Sequence, residues 1–343
     1  AVKLEGEQRA LVEWEKKGRP GRDLQLFFSP AEKDYGVLAL CHRGRAAKGT
    51  FMLSLRPRRE AADRVQIPKT VNFVVDTSGS MQGRKIGQVK KALRFFLQSL
   101  RPEDAFNLVA FSSEPRTLFP APRKVDGKSR AEALDFVDGI EAAGGTNIQA
   151  AMLEGLKMEK EEGRMPIVLF LTDGLPTVGE TDRGRILKAV KKANEAGARI
   201  FVFGAGHDVD TFLLDRMAMD GRGDRNYVQE QESIEVKVSS LLQALSRPAL
   251  SDVRLEFEGA KVSKLTPSPL PDLFYGRSLT LVGRYEGEGK VAVVLNGKVR
   301  GEKRRWSFPL VLPGEPGGRE WLEPLWAQRR IGRTRRHHPC RGR

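Results

Sequence analysis

Apolar positions in the middle of the chain follow two alternating rhythms. Thr70–Asp76 ("TVNFVVD") is a short, nearly unbroken apolar run rich in valine, the pattern of a strand buried on both faces. Ile86, Val89, Leu93, Phe96, Leu97 and Leu100 then recur at helical spacing, with Lys85, Lys90, Lys91 and Arg94 largely on the other face. That predicts an amphipathic helix laid on a sheet. "AFNLVAFSS" (Ala105–Ser113), "PIVLFLTDG" (Pro166–Gly174) and "RIFVFGAG" (Arg199–Gly206) read as further strands. "SRAEALDFVDGI", "TNIQAAMLEGLKM", "GRILKAVKKANEAG" and "DTFLLDRMA" read as helices, and "SIEVKVSSLLQAL" as one more beyond the short strand "RNYVQ". Thr146 or Asn147 is placed to cap the second of these, and Gly197 to close the third. This alternation predicts an α/β fold with a doubly wound, mostly parallel sheet over residues 69–246.

The flanks have a different rhythm. "DLQLFFS", "GVLALCH" and "TFMLSLRP" precede the α/β segment; "LSDVRLEFEG", "SLTLVGRYEG", "KVAVVLNG" and "RRWSFPLVL" follow it. All are short strand-like runs punctuated by Gly and Pro, and Asn296-Gly297 signals a hairpin. Neither flank has enough strands for a sandwich alone. Residues 1–68 and 247–315 are therefore expected to pair as halves of one all-β domain, with the α/β domain inserted between them. Residues 316–343 form a C-terminal segment.

The length of 343 residues suits two domains. No run approaches 18 apolar residues, so no membrane-spanning helix is expected. The two cysteines, Cys41 and Cys340, sit in unrelated contexts and predict neither a disulfide framework nor a CxxC metal site. Net charge is +15, but Arg329–Arg343 alone holds seven arginines and no acid. That tail offers a contact for anionic surfaces. The rest is only mildly basic and lacks aromatic-basic interleaving, so nucleic-acid binding is not expected.

The chemistry lies at strand ends. In an open parallel sheet, ligands bind beyond the carboxyl ends of the strands. Asp76, Ser78 and Ser80 follow the first strong strand in "DTSGS", Asp173 ends the third in "LTDG", and "GGTN" places Thr146 in a Gly-rich loop at a helix start. Residues two apart in an extended turn face the same way, so Asp76, Ser78 and Ser80 can address one point. Two carboxylates and three hydroxyls suit a hard cation, Mg²⁺ first, then Mn²⁺ or Ca²⁺. Zinc would want His or Cys. Two carboxylates barely neutralise a dication, and neutral hydroxyls donate weakly. Such an ion stays electrophilic toward a carboxylate from a protein partner.

The succession DTSGS, GGTN, TDG within an α/β frame resembles the von Willebrand factor A domain, a Rossmann-like fold, and its metal-ion-dependent adhesion site. "PKTVNFVVDTSGSMQGRKIGQVKKAL", "PEDAFNLVAFSS" and "GGTNIQAAM" are most similar to the inter-alpha-trypsin inhibitor heavy chain type and its bacterial relatives. The resemblance covers about 68–246 strongly and the flanks more loosely. It implies that Ser78, Ser80 and often Thr146 bind the metal directly, with Asp76 and Asp173 acting directly or through water. It also implies a hybrid-like β domain beside the module, a further β domain upstream that this chain lacks, and hence a fragment. An extracytoplasmic setting is favoured over a cytoplasmic one.

Other chemistries fit less well. A phosphoaspartyl hydrolase would place a second carboxylate where Ser78 stands; a nucleophile elbow needs GxSxG, and no GxxxxGK[ST] loop occurs. His207 in "GAGHDVD" reads as a helix-entry residue rather than a general base. Arg222-Gly223-Asp224 matches an integrin-type tripeptide but reads as a charged turn. The alternatives to an adhesion-type module are an accessory subunit docking onto an ATPase or chelatase complex and, behind it, a metal-dependent hydrolase. After Gly332 the tail loses any apolar face and reads as solvated, anion-binding or frame-shifted sequence.

Overall fold

The computed structural model describes residues 2–4, 10–12, 35–44, 48–57, 67–206, 209–228, 232, 236–237, 241, 248–275, 277–299 and 301–334. Residues 1–31 form a unit of their own, in which Val2–Leu4 (β1) and Ala10–Val12 (β2) pair antiparallel. The second unit starts at Glu32. Its first strands are Tyr35–Arg43 (β3) and Gly49–Pro57 (β4).

The α/β segment follows. Lys69–Asp76 (β5) leads to Arg84–Ser99 (α1), Ala105–Phe111 (β6), and two short strands, Pro115–Thr117 (β7) and Arg123–Lys124 (β8). Gly127–Asp138 (α2), Ile148–Gly155 (α3), Met165–Thr172 (β9), Arg183–Ala193 (α4), Arg199–Ala205 (β10), Thr211–Asp220 (α5) and Arg225–Val228 (β11) follow among the described residues. The sheet runs β11-β10-β9-β5-β6-β7, with β8 also on β6. β11, β10, β9, β5 and β6 are parallel; β7 and β8 add antiparallel edges. Every residue of β5, β6 and β9 is buried, which is why these segments read as continuous apolar runs. One face, with Phe73, Val75 and Leu169, packs under Val89, Leu93, Phe96 and Leu97 of α1. The other, with Val74, Val168 and Phe170, packs against α3, α4 and α5 through Met152, Ile186 and Met217.

The chain leaves β5 toward β6 on one side and returns as β9 on the other. The topological switch point, where the sheet opens a crevice at its carboxyl edge, therefore lies between β5 and β9. At the opposite edge Lys69 and Asp104 form a buried ion pair, Nζ to Oδ2 at 2.7 Å, with side-chain exposures of 4% and 0%.

The remaining elements are Pro248–Glu258 (β12), Lys261–Thr266 (β13), Leu273–Phe274 (β14), Leu279–Glu286 (β15), Gly289–Val299 (β16), Glu302–Leu312 (β17), Gly317–Gly318 (β18) and Leu322–Thr334 (α6). Two antiparallel sheets result, β14-β12-β16-β17 and β13-β15-β4-β3-β18. β4 pairs with β15 from Leu55 opposite Leu279 to Gly49 opposite Tyr285, so one sheet takes strands from both sides of the α/β segment. Phe51, Leu53, Leu55, Leu281 and Tyr285 meet Leu250, Val293 and Leu295 in the core between the two sheets.

Asn296-Gly297 makes no turn. Both residues lie inside β16, and the hairpin closes later, where Val299 stands opposite Glu302. Gly297 is there for space: a Cβ on it would fall 2.5 Å from Leu250 Cγ. The turn glycine is Gly301, with φ +83°.

The Arg222-Gly223-Asp224 segment joins the α/β segment to the β sheets. Arg222 Nη1 lies 3.3 Å from Asp252 Oδ1, and Arg277 Nη1 lies 2.5 Å from Asp224 Oδ2. Arg199 reaches Asp252 and the buried Asp272 beside them. The expected charged turn is present, with both charges engaged inside the chain. His207, Cys340, "DLQLFFS" and most of the helix expected from "SIEVKVSSLLQAL" lie outside the described residues. No helix among the described residues is long and apolar enough to cross a membrane.

Candidate metal centre

β5 delivers Asp76 to the switch point because its valine-rich run is locked between β6 and β9. The chain then turns away sharply. Thr77 donates its amide and its hydroxyl to the Phe111 carbonyl at 2.7 and 2.9 Å, tying the loop to the end of β6. The Ser78 amide donates to Asp76 Oδ1 at 2.8 Å, an Asx-type turn. A single 3-10 turn, Gly79–Met81, follows and anchors Met81 in the core.

The second loop threads between its neighbours. Gly144 adopts φ +83°, and its carbonyl accepts the Gly79 amide at 3.0 Å. A Cβ on Gly145 would strike Val178 Cγ2 at 2.4 Å, so the backbone passes where no side chain fits. The Gly145 amide donates to Ser113 Oγ, and the Thr146 amide to Thr177 Oγ1 at 2.8 Å. Asn147 caps α3 by accepting the Ala150 amide, the second of the two caps considered from sequence.

The third loop leaves β9 at Thr172. Its Asp173 accepts the Ser80 hydroxyl at Oδ1, 2.7 Å away. Ser80 Oγ lies 3.1 Å from Ser78 Oγ. Asp76, Ser78, Ser80 and Asp173 thus form one connected polar chain across two loops. Thr146 joins them at Gly174, where a Cβ would lie 3.6 Å from Thr146 Oγ1 and 4.0 Å from Ser80 Oγ. Asp76, Ser78, Thr146 and Asp173 are buried, while Ser80 is exposed. Access to the cluster is therefore from the Ser80 side.

Two further residues belong to this cluster. Thr172 is fully buried and donates its hydroxyl to Asp76 Oδ2 at 2.5 Å. Lys85, in the first turn of α1, donates to Asp173 Oδ2 at 2.6 Å. Burial pushes the Asp76 carboxyl above the ordinary carboxylate range; bonds from Thr172 and Ser78 pull it down, and the Asp173 charge pushes it up. A buried site that disfavours its own ionised carboxylate gains from a nearby cation. The donor set is all oxygen, gathered from three loops around the space at Gly174, and it fits a hard dication. The Lys85 ammonium already rests on one of its carboxylates, as a cation would.

Residues 69–227 match the family model of the von Willebrand factor type A domain. The chain carries a von Willebrand factor type A domain. Over 281 residues it is 32% identical to inter-alpha-trypsin inhibitor heavy chain H4 of Bos taurus, covering 76% of this chain and 30% of that protein. The chain thus spans less than a third of the length of the curated relatives it matches. A solved von Willebrand factor type A protein from Catenulispora acidiphila superposes with a TM-score of 0.65 at 17% identity, covering 85% of this chain and 77% of that one. The ArnB paralog VWA2 from Sulfolobus acidocaldarius gives 0.52 at 16% identity, covering 88% and 79%. These two structures share the fold, and their coverage reaches beyond the A domain into the β sheets.

Sequence reasoning passed over Thr172 and Lys85. Helical spacing alone puts Lys85 on the polar face of its helix. The available signal was electrostatic: α1 opens with Arg84 and Lys85 and has no acid in its first turn, which opposes the helix dipole unless a carboxylate lies beyond the helix end. Thr172 carried no comparable signal, since a threonine in a buried strand is ordinary.

Proposed function

We propose that the A domain holds a divalent cation, Mg²⁺ first and Mn²⁺ or Ca²⁺ in its place, at Asp76, Ser78, Ser80, Thr146 and Asp173. Through that cation it binds a carboxylate of a protein partner, acting as an adhesion-type module and not as an enzyme. The observation that carries this reading is the convergence of three hydroxyls and two carboxylates at the switch point, open on the Ser80 side. The cation supplies a coordination position for an outside carboxylate. The chain supplies the rest. Thr172 and the Ser78 amide fix both oxygens of Asp76, so the buried charge is oriented in advance. Ser78, Ser80 and Thr146 contribute neutral oxygens, which shape the site without neutralising the ion. Leu175, 46% exposed one residue beyond Gly174, gives a partner an apolar contact beside the charged one.

The test is capture of the chain on immobilised peptides bearing glutamate or aspartate, in Mg²⁺ and in EDTA, beside Asp76→Ala. Circular dichroism checks that the variant stays folded. Capture that needs Mg²⁺ and Asp76 supports the reading; capture indifferent to both retires it.

A further inference from the structure

Asp173 has a side chain with 0% exposure, and both its oxygens are already engaged: Oδ1 by the Ser80 hydroxyl, Oδ2 by the Lys85 ammonium. Lys85 is a third exposed and stands beside Gly206, where a Cβ would make an ordinary contact with Nζ at 3.6 Å. Its helix offers no acid of its own in the first turn. The ammonium is thus a fixed positive charge built into the rim of the cation site, held there by a buried carboxylate.

We infer that Lys85 sets the charge balance of the site, weakening its hold on the cation and strengthening its hold on the partner's carboxylate. This rests on the metal-dependent reading above. Asp76 and Asp173 bring two negative charges and Lys85 returns one, so a dication at this site stays a full unit positive. A cation entering beside the ammonium is repelled, while an incoming anion meets two positive centres in place of one. Metal affinity and partner affinity are therefore opposed through one side chain.

The experiment titrates the chain with Mn²⁺ alone, following free ion by electron paramagnetic resonance, for the unsubstituted protein, Lys85→Met, Lys85→Gln and Lys85→Arg. Removing a like charge a few ångströms from a dication is expected to tighten Mn²⁺ binding about tenfold. The Met and Gln variants should both show the gain, and Arg should not. At saturating Mn²⁺ the same two variants bind an immobilised acidic peptide several-fold more weakly. Without metal they melt at a lower temperature than the unsubstituted chain, because Asp173 is left buried without its ion-pair partner, and Mn²⁺ raises their melting temperature by more. A merely structural Lys85 would lower stability in both states and leave Mn²⁺ affinity unchanged or weaker, which would overturn this inference alone. Absence of Mn²⁺ uptake by the unsubstituted chain would sink the metal reading and this inference with it.

Discussion

Thr172→Val removes one hydroxyl and keeps the side-chain shape. The perturbation is confined to Asp76 Oδ2, which loses its 2.5 Å donor, and to the Gly174 amide, which loses its acceptor at 3.2 Å. Asp76 Oδ2 sits in a region closed to water, since Thr172 and Asp76 have no exposed surface, while Gly174 is half-buried. A hydrogen bond to a buried charge is worth about 1.5–3 kcal/mol, so the variant should lose roughly 2 kcal/mol. For a domain of this size that is a fall of about 4–8 °C in melting temperature. Thr172→Ser keeps the donor and should lose much less. The pH dependence has a definite sign. The folded-state Asp76 carboxyl is raised above its ordinary value by burial. Its contribution to stability is thus fully present below the ordinary carboxylate range and is lost as pH rises through the folded value. The Thr172 hydroxyl stabilises the ionised form. The cost of Thr172→Val in EDTA therefore grows as pH rises and Asp76 ionises, and shrinks on acidification as Asp76 takes up its proton. Thermal unfolding in EDTA at several pH values, with the serine variant alongside, reads this directly. A Thr172→Val penalty that is absent, or that grows toward low pH, would contradict a hydrogen bond to an ionised Asp76.

Two further substitutions test the frame that positions the site. Asp104→Ala leaves the Lys69 ammonium, only 4% exposed, without its carboxylate; about 3–5 kcal/mol should be lost, and a melting temperature within a degree or two of the parent would contradict the buried pair. Gly297→Ala drives a Cβ into Leu250 and should cost about 1–3 kcal/mol by overpacking; no change in thermal unfolding would contradict the close contact inside β16.

The strands that carry the site were legible because of where they sit. β5, β6 and β9 are buried on both faces, so they appear as apolar runs, and the amphipathic helices between them reveal a doubly wound sheet. The carboxylates and hydroxyls of "DTSGS", "GGTN" and "LTDG" stood out because they gather oxygen donors at two strand ends and one helix start. What stayed hidden depends on partners far apart in sequence. Thr172 meets Asp76 across 96 positions, and Lys85 meets Asp173 across 88, and neither pairing leaves a local pattern. β7, β8, β14 and β18 are two or three residues long, too short for periodicity. β13, "KVSKLT", is a half-exposed edge strand whose polar residues mask it. Asn296-Gly297 misled because a glycine needed for close approach and a glycine needed for a turn look the same in sequence. Arg222-Gly223-Asp224 was resolved only by three-dimensional partners, Asp252 and Arg277.

The most direct measurement of the central claim is isothermal calorimetry of the chain with Mg²⁺ and with Mn²⁺, repeated on Asp76→Ala and Ser80→Ala. One divalent ion per chain, lost in the Asp76 variant and weakened in the Ser80 variant while the circular dichroism of both stays unchanged, is the predicted result. No binding by the parent chain, or binding that survives Asp76→Ala intact, would contradict it.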